Sequence, residues 1–152
     1  METGIIDKLH FTCPDSEARA MNPVTLALIG DAVFSDYIRR YLLACGLRNV
    51  NHLTKESIRY VRASAQATMV HALWDTLTDT EQTIVRRGRN TRSHVPKNAK
   101  VIDYRYATGF EALLGYLDLT GQTERLETLI AMGIECIHQT NTQSKPPVEP
   151  VV

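Results

Sequence analysis

The stretch 22–44, NPVTLALIGDAVFSDYIRRYLLA, decides the fold. Asn22 is a good N-cap, and Pro23 is tolerated at the first helical position, where its missing N–H had no partner to lose. Behind them Leu26, Ile29, Val33, Tyr37 and Leu42 fall at helical spacing, and Gly46 offers a C-terminal stop. About 22 residues at ~1.5 Å each predict a helix roughly 33 Å long, enough to traverse a small domain. Gly30 and Asp31 interrupt its apolar run. A glycine inside a helix costs about 1 kcal/mol relative to alanine, and an ionised aspartate is costly if buried alone. Taken singly, a packing contact and a solvated carboxylate account for them.

The same periodicity continues on the C-terminal side. LTKESIRYVRASAQATMVHALWDTL predicts a second helix opening at Thr54, with Ile58, Val61, Ala65, Met69 and Leu73 on one apolar line. A third is expected from Thr78 to about Arg87, with Asp79 and Glu81 favourable in its first turn. RRGRNTRSHVPKNAK, from Arg86 to Lys100, reads as a basic loop, its GRNTRSHVPKN stretch marked by Gly88, Asn90, Pro96 and Asn98. A fourth helix spans roughly Asp103–Leu119, and a last one runs from near Gln122 to just before Thr140. No stretch alternates with period two, so the expected class is all-α. Residues 1–20 read as an N-terminal arm or short helix, 21–139 as one domain, and 140–152 as a disordered, proline-containing tail.

Composition narrows the function classes. The chain has 152 residues, 43% hydrophobic and 22% charged, which argues against wholesale disorder. No apolar run approaches the roughly 20 residues that span a bilayer, and METGIIDKLHF lacks a secretory pattern. A cytoplasmic protein with no membrane partner is expected. Cys13, Cys45 and Cys136 match no zinc template and are expected as reduced thiols. The five histidines do not cluster in sequence.

Net charge is zero, but its distribution is lopsided: residues 85–105 carry +6 and the remainder −6. A second rule-breaking site lies in YATGFEALLGYL, where Glu111 precedes Gly115 by one helical turn. If Gly30 and Gly115 let two helices cross closely, Asp31 and Glu111 face one another. Two carboxylates at that distance do not both stay ionised cheaply, and a hard divalent cation relieves the penalty. Mg2+ suits one or two carboxylates plus waters, and Mn2+ is a natural substitute. The basic loop supplies the complement, because guanidinium and small polar residues grip phosphate. Arg86, Arg87, Arg89, Arg92, Lys97 and Lys100 are therefore candidate polyanion-binding residues. Asp31 and Glu111 are candidate metal ligands and catalytic residues.

These residues also resemble a known family. LALIGDAVFSDYIRRYLL is similar to the ribonuclease III signature helix, ATGFEALLGYL to that family's later acidic helix, and RASAQATMV to the helix between. The whole of RRGRNTRSHVPKNAKVIDYRYATGFEALLGYL resembles Mini-ribonuclease III, the bacterial branch made of the catalytic domain alone. The resemblance covers residues 20–138. It implies the all-helical ribonuclease III endonuclease fold as a homodimer with one metal-dependent centre per subunit. It also implies hydrolysis of double-stranded RNA leaving a 5′ phosphate, with precursor ribosomal RNA (23S) as the natural substrate.

Two of the four acids usual in the larger enzymes of the family are absent, at Ala27 and Thr108. The lower ligand charge predicts weaker Mg2+ binding that tightens when RNA is present. The same absences motivate a rival reading, a catalytically inactive double-stranded-RNA-binding module of the same fold. Two further rivals are a helical nucleotide pyrophosphohydrolase and a purely structural helical dimer. The pyrophosphohydrolase usually needs more carboxylates, and the structural dimer makes the acid–glycine pairs coincidental.

Overall fold

The computed structural model describes residues 4–91, 97 and 100–140. All regular structure among them is helical: α1 (Ile5–Leu9), α2 (Asp15–Ala20), α3 (Pro23–Ala44), α4 (Val50–Val61), α5 (Ala63–Leu73), a 3-10 turn (Trp74–Thr76), α6 (Asp79–Arg89), α7 (Val101–Leu119) and α8 (Thr123–Thr140). The all-α expectation holds. Arg92 and residues 141–152 of the tail lie outside the described residues.

Helix α3 begins as its sequence dictates. The Asn22 side chain accepts a hydrogen bond from the Val24 amide at 2.8 Å, with Pro23 at the first position. It ends where Gly46 takes φ +100°, a left-handed conformation that glycine adopts without a steric penalty. The face it buries differs from the expected one. Leu26, Ala27, Gly30, Phe34, Ile38 and Leu42 are buried, while Ile29, Val33 and Tyr37 are half-exposed beside them. The helix turns its small-residue stripe inward because α7 approaches it closely. Phe34 meets Phe110 edge-on with ring centres 5.5 Å apart. Tyr37 donates to Glu127 at 2.8 Å.

The expected second helix is two helices. The backbone turns extended at Arg62 (φ −62°, ψ 152°), which ends α4 and starts α5. Neither Gly nor Pro marks the spot; tertiary packing makes the break. Helix α4 lies on α3, whereas α5 lies on α7 and α8. Ile58 is therefore half exposed, while Ala65, Met69 and Leu73 enter the core.

Helix α6 opens with a reciprocal cap: Thr78 Oγ1 accepts from the Glu81 amide, and Glu81 Oε1 accepts from the Thr78 amide. It extends past the expected end to Arg89, so Gly88 is helical and not in a loop. A Cβ at Gly88 would sit 2.7 Å from Gly109 Cα on α7, a contact that explains why glycines stand there. Helix α7 thus forms the centre of the bundle, with α3, α5 and α6 packed against it. The N-terminal segment is tied to its end by the Cys13 amide, which donates to the Leu119 carbonyl at 2.9 Å. The Tyr116 hydroxyl also donates to Asp15. All three cysteines are free thiols.

Candidate active site

The crossing of α3 and α7 is tight enough to exclude any side chain at its two glycines. A Cβ on Gly30 would lie 1.7 Å from the Glu111 carbonyl oxygen, and one on Gly115 would lie 1.9 Å from the Leu26 carbonyl oxygen. Real Cβ atoms do not approach backbone that closely, so both positions require glycine. The crossing sets Asp31, next to Gly30, against Glu111, one turn before Gly115. The two side chains hydrogen-bond to each other.

They line a cleft of about 490 Å3, whose walls include Val24, Leu28, Ala63 and Ala107. Burial in this mostly apolar cleft pushes the Glu111 carboxyl up, and the hydrogen bond to Asp31 and the charge of Asp31 push it further, to about 8. Glu111 therefore holds a proton at neutral pH, shared across a carboxyl–carboxylate pair. Asp31 is the exposed partner.

A third polar group completes the cleft. Gln66 on α5 is 2% exposed. Its Nε2 donates to the Val61 carbonyl at 2.8 Å and lies 3.4 Å from Glu111 Oε2. Its Oε1 is buried without a partner. Ala27 and Thr108 also line the cleft, and the Thr108 hydroxyl donates back to the Tyr104 carbonyl at 3.0 Å. Among the described residues no group of three or more His, Cys, Asp or Glu side chains could hold a metal. Two carboxylates and an unmet amide oxygen nevertheless suit a hydrated Mg2+, which keeps most of its shell as water.

The cationic candidates among the described residues differ in what they touch. Arg86 stacks over Trp74 at 5.1 Å from the ring centre, and Arg89 over Tyr106 at 5.7 Å. With His71, whose ring centre is 4.5 Å from that of Tyr106, they frame a pocket of about 260 Å3. Arg87 is different: it donates to the carbonyls of Arg19 and Met21 and so clamps the end of α2 to α6. Lys97 and Lys100 are exposed.

Sequence reasoning missed Gln66, His71, Trp74 and Tyr106. The signal for Gln66 was present as a lone amide between Ala65 and Ala67 on an apolar line. The aromatic partners of Arg86 and Arg89 are distant in sequence and carried no local mark.

The ribonuclease III domain family matches residues 24–122. The Mini-ribonuclease 3 of Thermoanaerobacter sp. (strain X514) is 49% identical over 121 residues, 79% of this chain and 85% of that protein. The Mini-ribonuclease 3 of Streptococcus pneumoniae (strain ATCC BAA-255 / R6) is 45% identical over 122 residues, 78% of this chain and 95% of its own length. A crystallised Fusobacterium nucleatum protein superposes with a TM-score of 0.71 at 28% identity, over 77% of this chain and 96% of that one.

Proposed function

The chain belongs to the ribonuclease III family, and on that premise we propose that it is a Mg2+-dependent endoribonuclease that hydrolyses double-stranded RNA at the Asp31–Glu111 cleft. The observation that carries this reading is the hydrogen-bonded acid pair held at a crossing only two glycines permit. No membrane-spanning helix is found among the described residues. A cytoplasmic homodimer with one centre per subunit, each cutting one strand of precursor 23S ribosomal RNA, completes the proposal and rests on the family resemblance.

Asp31 and Glu111 would hold the ion, directly or through water, once Glu111 gives up its proton. When bound, a divalent cation acidifies a coordinated water and neutralises charge on the phosphate in line for attack. The chain's own part is positional. Asp31 is exposed on the cleft and would face an incoming phosphate, while Glu111 is fixed deeper by the helix crossing. Water adds to phosphorus, the P–O3′ bond breaks, and a 5′ phosphate and a 3′ hydroxyl remain. No protein nucleophile is required.

Recognition falls to groups outside the cleft. The deep, narrow major groove of A-form RNA is closed to side chains, so shape, phosphates and 2′ hydroxyls dominate. Arg86 and Arg89, held over aromatic rings, and the exposed Lys97 and Lys100 would contact them, with Arg92 assigned by sequence alone. The clamp made by Arg87 supports a structural share in its role.

A long RNA duplex incubated with Mg2+, with an EDTA control and an Asp31→Asn variant, tests the reading. Cleavage by wild type alone, and only with the ion, is expected. Cleavage by Asp31→Asn near the wild-type rate overturns the assignment. Ala27 and Thr108 on the cleft wall favour the rival, an inactive binding module, which the same duplex distinguishes by a gel shift without cutting.

A further inference from the structure

Gln66 occupies the buried side of α5 among Ala65, Met69, Val70 and Leu73. Such an amide brings two donors and an oxygen with two lone pairs into an apolar interior. The donors are engaged: 2.8 Å to the Val61 carbonyl, the last of α4, and 3.4 Å to Glu111 Oε2. The first contact fixes the amide orientation, since a flip would set two oxygens 2.8 Å apart. The Oε1 atom is left buried and unmet. Unmet buried acceptors are retained rarely, because desolvation is not repaid.

We propose that Gln66 is the positioning residue of the Asp31–Glu111 centre: its N–H tethers Glu111 to the break between α4 and α5, and its open oxygen accepts a hydrogen bond from water carried in by a divalent cation. The inference rests on the metal reading above. Neutrality suits the place, because a third carboxylate against the pair would add like-charge repulsion, whereas an amide offers an oxygen without charge. It also gives the chain a third oxygen beside the acid pair, where Ala27 and Thr108 provide no carboxylate.

The test uses Mn2+ titrated calorimetrically into wild type, Glu111→Gln, Gln66→Met and Gln66→Glu without RNA, beside kcat and KM on a long RNA duplex. Gln66→Met is expected to bind Mn2+ about tenfold more weakly, the usual effect of losing an outer-shell partner, and to lose kcat with KM unchanged. Gln66→Glu keeps an oxygen but not the donor, so Mn2+ affinity at least equal to wild type with a depressed kcat is expected. Wild-type Mn2+ affinity and kcat in Gln66→Met overturn the proposal. If Gln66→Met does not fold, wild-type kcat in Gln66→Glu overturns it instead. A Glu111→Gln protein that binds Mn2+ as wild type does removes the metal reading itself, and this inference with it. Weakening in Glu111→Gln but not in Gln66→Met removes only the role of Gln66.

Discussion

At the scale of the residue, the protonated Glu111 makes the centre sensitive to pH in a defined direction. Its value is pushed up to about 8 by burial and by Asp31, above that of an unfolded glutamate. A group raised on folding stabilises the folded chain fully below its unfolded value and loses that contribution as pH climbs through the folded one. Glu111→Gln, always neutral, escapes this loss. In EDTA its melting temperature should therefore gain on wild type between about pH 5 and pH 8. A gap that stays constant would mean the two acids do not share a proton. Cation binding must release that proton, so Mn2+ titrations near neutral pH in two buffers of different ionisation enthalpy should differ by about one proton per site.

At the scale of the element, the close crossing of α3 and α7 is the most demanding contact in the bundle. Gly30→Ala drives a methyl group into the Glu111 carbonyl and should destabilise the chain by about 3 kcal/mol or more, read from urea midpoints. Gly121→Ala is the control. At φ +74° with nothing within 4 Å, it incurs only left-handed strain, about 1 kcal/mol. The crossing was legible in sequence because both glycines interrupt strong helical periodicity next to acids. The break at Arg62 was not, because α4 and α5 form one continuous helical pattern locally and only their different packing partners bend the chain. For the same reason the inward face of α3 was misread: Ala27 and Gly30 look weakly apolar in a sequence, yet α7 selects them for their small size. Gln66 followed from the break, since the carbonyl it satisfies exists only where α4 stops.

At the scale of the whole molecule, a neutral chain divided into a +6 window and a −6 remainder is built for a polyanion without being generally basic. If about five phosphates are neutralised in the complex, affinity for a long RNA duplex should fall about 10²–10³-fold between ~50 and ~200 mM salt. Arg86→Ala and Arg89→Ala should each flatten that slope by about one unit in a filter-binding titration. Arg87→Ala should instead lower the melting temperature, because it releases the end of α2. The charge window itself was plain in the sequence. Its division into stacked and clamping arginines depends on Trp74, Tyr106 and the α2 carbonyls, which only the fold brings near.

One consequence of the Arg86–Trp74 stack is practical. The chain has a single tryptophan, and a guanidinium 5.1 Å from its ring centre perturbs the excited indole. A duplex that draws Arg86 toward phosphate uncovers that ring, so its emission should shift on titration with RNA. Arg86→Ala should start from the shifted spectrum and stay there. That shift would give the protein its own optical gauge of substrate engagement, needing no attached dye.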